Sequence, residues 1–188
     1  MIASLTIINN FNSMKNLRME ITNSTPKDIR AIFNLYDQAT THQKNMGAGL
    51  YWQGFERSLI EKEIEEKRHY KITVNGELAC TFCIAHKDPA IWKEKDKDPA
   101  VYIHRIATNP LLRGNSYVKH IITWATEFAK DNQRDFIRID TGSGNDKLNN
   151  YYISCGFNYL GVTQLEDVSS LPAHYKHGSF SLFEIPIN

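Results

Sequence analysis

The chain has 188 residues and a formal net charge of +1, and it is 41% hydrophobic, 11% aromatic and 23% charged. These values describe an ordinary globular domain with length enough for a sizeable core. They exclude the charge excess that draws a protein to nucleic acid or a membrane surface, and three cysteines are too few for a disulfide framework.

Residues 1–17 lack a basic leader, and their apolar run is too short to cross a membrane. They are read as an N-terminal arm or extension without an assigned function, ahead of a single domain over 18–188. That domain opens with a strand, LRMEIT. NSTPKDIRAIFNLYDQATTHQ follows with a cap-like Ser24 or Thr25, Pro26 early in the helix, and Ile29, Ile32, Phe33 and Tyr36 at helical spacing. FERSLIEKEIEEKRH predicts a second helix with a charged, solvated face. YKITV, Asn75-Gly76 and ELACTFCIAH predict a hairpin by turn chemistry. DPAIWKEKDKDP reads as a polar loop with one tryptophan, and AVYIHRIAT as a strand.

An amphipathic helix is expected from Asn115 to Asp131, with Val118, Ile121, Ile122, Ala125 and Phe128 as its apolar stripe. DFIRIDT is a strand, Leu148 to Cys155 a helix, and FNYLGVTQL and GSFSLFEIP are closing strands. The order β-α-α-β-β-β-α-β-α-β-β lacks a regular βαβ repeat. It implies an α+β fold with a mixed, mostly antiparallel central sheet flanked by helices.

Cys80 and Cys83 form a C-x-x-C pair, but on a strand residues three apart face opposite ways. Reduced, packed cysteines are expected, and with them a cytoplasmic setting. His174 and His177 lack the acidic or cysteine partners of a metal site, so no metal is expected.

The chemistry-bearing segment is HRIATNPLLRGNSYV. A strand ends at Thr108-Asn109-Pro110, and a helix opens a few residues after Arg113-Gly114. The first amides of a helix lack internal partners and suit an anion. Gly114 permits close backbone approach, and Arg113 adds a charge. The turn is neither a P-loop nor a dinucleotide fingerprint.

In IRIDTGSGNDKLNNYYISCGF, the order strand-Asp-loop-Asn-x-x-Leu-x-x-Tyr-Tyr-x-x-x-Gly-Phe strongly resembles the C-terminal motif of the GNAT superfamily of acyl-CoA N-acyltransferases. Arg113-Gly114-Asn115-Ser116-Tyr117-Val118 then resembles that superfamily's coenzyme A motif, with Ser116 and Val118 where small residues are usual. The resemblance implies an acetyl-CoA-dependent N-acetyltransferase acting by direct amine attack, with acetyl-CoA as cosubstrate and a small-molecule or peptide amine as acceptor. It also implies a possible homodimer through sheet edges or C-terminal strands. No nucleic acid or membrane partner is expected.

Residue by residue, the resemblance places Ile106, Ala107 and Thr108 along the acetyl group and pantetheine arm. Arg113, Gly114, Asn115, Ser116, Tyr117 and Val118 would cradle the pyrophosphate. Asn145 would touch the pantetheine arm, and Tyr152 would protonate the leaving thiolate. Tyr151, about 100° away on the helix, is expected in the core. A lysine-like amine is charged at neutral pH, so a base is needed. His104 is the candidate, Asp140 the weaker one; Arg105 and Arg138 are expected to face solvent or pair with acids. GAGLYWQGF, with Tyr51 and Trp52, is a candidate lining of the acceptor pocket. The alternative is a non-catalytic acyl-CoA-binding or sensing module on the same fold, and beyond it a plain interaction domain.

Overall fold

A computed structural model describes residues 18–46, 51–165 and 178–187. The N-terminal arm, residues 47–50, His174 and His177 lie outside them. In chain order the elements are β1 (Met19–Asn23), α1 (Ile29–Asn45), α2 (Arg57–Glu65), β2 (His69–Val74), β3 (Glu77–Ala85), α3 (Pro89–Trp92), β4 (Ala100–Thr108), α4 (Tyr117–Asp131), β5 (Phe136–Gly142), α5 (Asp146–Ser154), β6 (Asn158–Gln164) and β7 (Ser179–Pro186). No helix among the described residues is long and apolar enough to cross a membrane.

The strands form one seven-stranded sheet in the order β1-β2-β3-β4-β5-β7-β6. Every neighbouring pair is antiparallel except β4–β5. The mixed, mostly antiparallel sheet expected from the sequence is therefore present. Helix α4 is the crossover that a parallel β4–β5 pair requires.

Alternation along the strands sorts side chains onto two faces. Val101 and Ile103 of β4, with Ile137 and Ile139 of β5, pack on one face against Val118, Ile121, Ala125 and Ala129 of α4 and Tyr152 of α5. On the other face Ile29, Ile32, Leu35 and Tyr36 of α1 meet Ile60 and Ile64 of α2. Cys80 belongs to the α4 face, while Cys83 lies opposite, against Arg105. Both thiols are free and buried. Burial pushes each up to about 12, far from a reactive thiolate.

Two sequence expectations need correction. DPAIWKEKDKDP is not a polar loop: it forms α3 and a 3-10 turn over Lys93–Lys97. Trp92 is buried with Ile91, Ala100, Tyr102 and Phe180. Helix α4 begins at Tyr117 rather than Asn115, because Ser116 takes a left-handed conformation (φ 50°) as its N-cap.

Candidate active site

The site begins with a defect in β4. Cys83 of β3 pairs with His104, but Thr81 pairs with Ala107. Two steps along β3 thus match three along β4, which is a β-bulge. Arg105 takes up the extra residue in a left-handed conformation at φ 51°. A one-residue insertion reverses which side chains face which side. Ile106 accordingly turns to the α4 face, and Ala107 to the α1–α2 face.

The bulge is anchored from below. The Arg105 guanidinium pairs with Glu63 of α2 and lies 5.2 Å from the ring centre of Phe55. Arg138 on β5 is likewise paired, with Asp98 and Glu184. The expectation of acid partners holds for both arginines, though both are withdrawn from solvent.

Just before the bulge β4 and β5 part. Their parallel ladder ends at Ile103–Ile139, while β4 continues to Thr108 and β5 to Gly142. A cleft of about 660 Å³ opens there. It is bounded by Ile106 and Thr108 of β4, the turn at the start of α4, Asn145, and Tyr151 and Tyr152 of α5. The end of α1 (Ala39, His42, Gln43, Met46) with Tyr51 and Trp52 closes another side. The Trp52 amide donates to Gln43 Oε1 at 2.9 Å, fixing that segment to α1.

The turn before α4 is shaped by its own side chains. Asn109 Oδ1 accepts from the Leu111 amide at 3.0 Å. The Asn109 amide donates to the Ala79 carbonyl at 2.8 Å, tying the end of β4 to β3. Gly114 has φ 91°, a region that favours glycine, and nothing lies within 4 Å of where a Cβ would stand. Its approach to the cleft is open. Ser116 makes no side-chain cap, so its hydroxyl is not spent on the helix.

Most candidate residues are brought together here. Arg113, Gly114, Ser116, Tyr117 and Val118 line the cleft with Ile106, Thr108, His104, Asn145 and Tyr152. Two are placed elsewhere. The bulge turns the Ala107 side chain toward α1. Asn115 folds back, donating to the Leu112 carbonyl at 2.9 Å and to Tyr117 Oη at 3.2 Å. Asn145 is the N-cap of α5, its Oδ1 accepting from the Leu148 amide at 3.0 Å. That leaves its NH₂ group for a ligand.

Tyr151 contradicts expectation. It is 38% exposed and lines the cleft; Tyr152 is the core residue, packed on Phe157 and Phe183. The buried stripe of α5 runs Leu148, Tyr152, Cys155, and Tyr151 sits at its edge, over the cleft. Burial, aided by Tyr151 and Asp140, raises the Tyr152 pKa, so the phenol keeps its proton.

His104 and Asp140 face each other across the parting strands, Nδ1 to Oδ1 at 3.9 Å. On its other side His104 Nε2 lies 3.8 Å from Oδ2 of Asp88, which caps α3. Nothing in the sequence marks Asp88, which stands 16 residues before His104 in what reads as a loop. One donor atom from each of the three lies within 4.8 Å of the other two. Burial, with the Arg105 and Arg68 cations, pushes His104 down to about 3. Burial and the neighbouring Asp88 push Asp140 up to about 8, and burial pushes Asp88 up to about 6. Burial thus works against charge on every member of the trio. Its protons belong to the group as a whole, since the three sites are coupled.

The Acetyltransferase (GNAT) family model matches residues 29–157. The uncharacterized N-acetyltransferase YesJ of Bacillus subtilis (strain 168) is 23% identical over 107 residues, spanning 55% of this chain and 59% of that protein. The crystal structure of a GNAT-family acetyltransferase from Listeria monocytogenes 4b F2365 has a TM-score of 0.71 at 24% identity, covering 92% of this chain and 97% of its own. The Salmonella typhimurium protein yncA, solved with its cofactor acetyl-CoA, has a TM-score of 0.63 at 13% identity, covering 90% and 94%. At these identities the structural likeness establishes the fold.

Proposed function

Because the chain belongs to the acetyltransferase (GNAT) family, we propose that it moves an acetyl group from acetyl-CoA to a primary amine by direct attack. The observation that carries this reading is one continuous cleft. It joins the turn before α4 to Tyr152, His104 and Asp140 where β4 and β5 part.

Acetyl-CoA supplies the thioester carbonyl; the chain supplies the rest. The amides at the start of α4, with Arg113 and the Ser116 hydroxyl, hold the pyrophosphate at the positive helix end. Few glycines are needed, because backbone N–H groups are the donors. The backbone of Ile106 to Thr108 follows the pantetheine arm, and an amide beside the bulge polarises the carbonyl. Asn145 contacts the arm through its NH₂ group. Tyr152 donates to the leaving sulfur. His104, whose pKa is lowered by partial burial and by the Arg105 and Arg68 cations, takes the proton of the incoming amine on Nδ1, the nitrogen facing Asp140. Imidazolium formed there is stabilised by the charge on Asp88.

Thermal-shift titration with acetyl-CoA, desulfo-CoA and ATP tests the binding half, since a ligand of the folded state raises its melting temperature. Both CoA compounds should stabilise the protein and ATP should not. Thiol release from acetyl-CoA against polyamines, amino sugars and peptide amines tests the chemistry. Binding without turnover across the panel would replace this reading with a non-catalytic acyl-CoA-binding module. No shift at all would leave an interaction domain.

A further inference from the structure

Acetyl transfer to an ammonium group releases one net proton per turnover: the amine gives up two, and the departing thiolate keeps one. His104, Asp88 and Asp140 are largely withdrawn from solvent, with side-chain exposures of 20%, 15% and 7%, and in the proposed reaction the two substrates would fill the cleft. A proton taken up by His104 therefore needs a way out that is not the way in.

A second cavity, of about 250 Å³, lies beside the first. Phe55, Glu63, Arg68, Lys87 and Asp88 are among its walls. His104 and Arg105 border both cavities; Asp140 borders only the larger and Asp88 only the smaller. The imidazole thus spans the partition, with one nitrogen toward Asp140 and the other toward Asp88. We propose that Asp140, His104 and Asp88 form a proton outlet, in which Asp88 receives the proton from His104 and releases it to water in the second cavity. The proposal rests on the acetyltransferase reading above.

The step balances. The ammonium N–H bond breaks and a ring N–H bond forms at Nδ1 of His104, which faces the cleft with Asp140 Oδ1 3.9 Å away. The Nε2–H bond then breaks as an O–H bond forms on Asp88, and Asp88 loses that proton to solvent. Exchange with water restores the first tautomer of the ring. Histidine suits this because it accepts on one nitrogen and donates from the other. The gaps of 3.8 and 3.9 Å exceed a hydrogen bond by less than an ångström, and a small side-chain turn closes each.

The surroundings favour movement in this direction. Arg105 and Arg68 oppose a lasting charge on His104. The aromatic ring of Tyr102 stacks on the imidazole. Asp96 raises Asp88 and the Ile91 amide lowers it, leaving it at about 6. That value is high enough to accept a proton and low enough to give it to neutral water. Lys87 is held by Asp96.

The test is Asp88→Asn, with Asp88→Ser as a second variant that keeps a polar side chain at the start of α3 but binds no proton. With an amine that the wild-type chain turns over, both variants should bind acetyl-CoA as before. Each should lose about tenfold or more in kcat, and added imidazole buffer should restore the rate in a concentration-dependent way. The wild-type rate should not depend on buffer, and Asp88→Glu should keep most activity. Wild-type rates in both variants would overturn the outlet. So would a loss that no buffer restores, which marks a structural role. One equivalent of zinc that stabilises the wild-type chain but not Asp88→Asn would overturn it too, making the trio a cation site. If the wild-type chain turns over no amine, the acetyltransferase reading falls and the outlet falls with it.

Discussion

Arg105 and Glu63 close a buried ion pair 42 residues apart in sequence, joining the bulge of β4 to helix α2. The pair explains how a non-glycine residue stays in a left-handed conformation in mid-sheet. Such a conformation persists only where its surroundings impose it, and here the imposing contacts are Glu63, Phe55 and Cys83.

Arg105→Ala should therefore cost about 3–5 kcal/mol, the usual cost of leaving one member of a buried pair without its partner. Urea denaturation gives the number. The same variant should lose activity beyond its loss of stability, because the bulge that aims the β4 backbone at the cleft relaxes. A midpoint within error of wild type would show that the pair does not hold the bulge.

Gly114→Ala separates backbone strain from crowding. No atom lies within 4 Å of the added Cβ, but φ is 91°. The cost in stability should be about 1 kcal/mol, from the conformation alone. Acetyl-CoA affinity, followed by calorimetry, should fall more steeply than stability, since the methyl group projects into the open approach.

Tyr152→Phe keeps the ring contacts with Phe157 and Phe183 and removes only the hydroxyl. Steady-state kinetics should show kcat reduced about 10²-fold, the usual scale for a lost general acid, with KM for acetyl-CoA nearly unchanged. Unchanged turnover would remove Tyr152 from the proton-donor role. Tyr151→Phe should leave kcat near wild type.

Asp140 sets a pH dependence whose sign is fixed by its environment. Its folded pKa, about 8, lies above the ordinary carboxylate value of 3.8. The folded state therefore holds a proton that the unfolded chain has lost. The resulting stability is full below about pH 4 and is lost as pH rises through about 8, by at most ~1.4 kcal/mol per pH unit. His104, pushed down to about 3, acts in the opposite sense, losing stability as pH falls from 6.5 toward 3. Asp140→Asn retains His104 and Asp88, so the difference between the two proteins reports what Asp140 adds to the titration of the coupled trio. Chemical denaturation across this range should show the wild-type chain weakening relative to the variant as pH rises. A constant difference would mean that Asp140 titrates normally.

Arg138 is fully buried between β4 and β7, paired with Asp98 and Glu184 and close to the rings of Trp92 and Phe136. Arg138→Ala should cost about 3 kcal/mol or more through lost packing and two deserted carboxylates. Differential scanning calorimetry would register it as a large fall in melting temperature.

The sequence by itself determined the order of the strands and of every helix but the short α3, the apolar stripe of α4 and the turn that precedes it. Those features depend on local periodicity and on residues such as Asn75, Gly76 and Gly114, whose conformational preferences act within a few positions. A motif resemblance singled out Tyr152 and Asn145, and the place of His104 on the strand before the turn singled out that residue; all three line one cleft. Only the tertiary structure decided the bulge at Arg105, because an inserted residue leaves no mark on a strand until the partner strand counts against it. It decided that Tyr151 lies open and Trp92 buried, since half-apolar stripes acquire an inside only when another element covers them. It brought Asp88 to His104 as well, across a segment whose charges concealed a short helix. Long-range pairing and burial, unlike turns and periodicity, are properties of the packed whole.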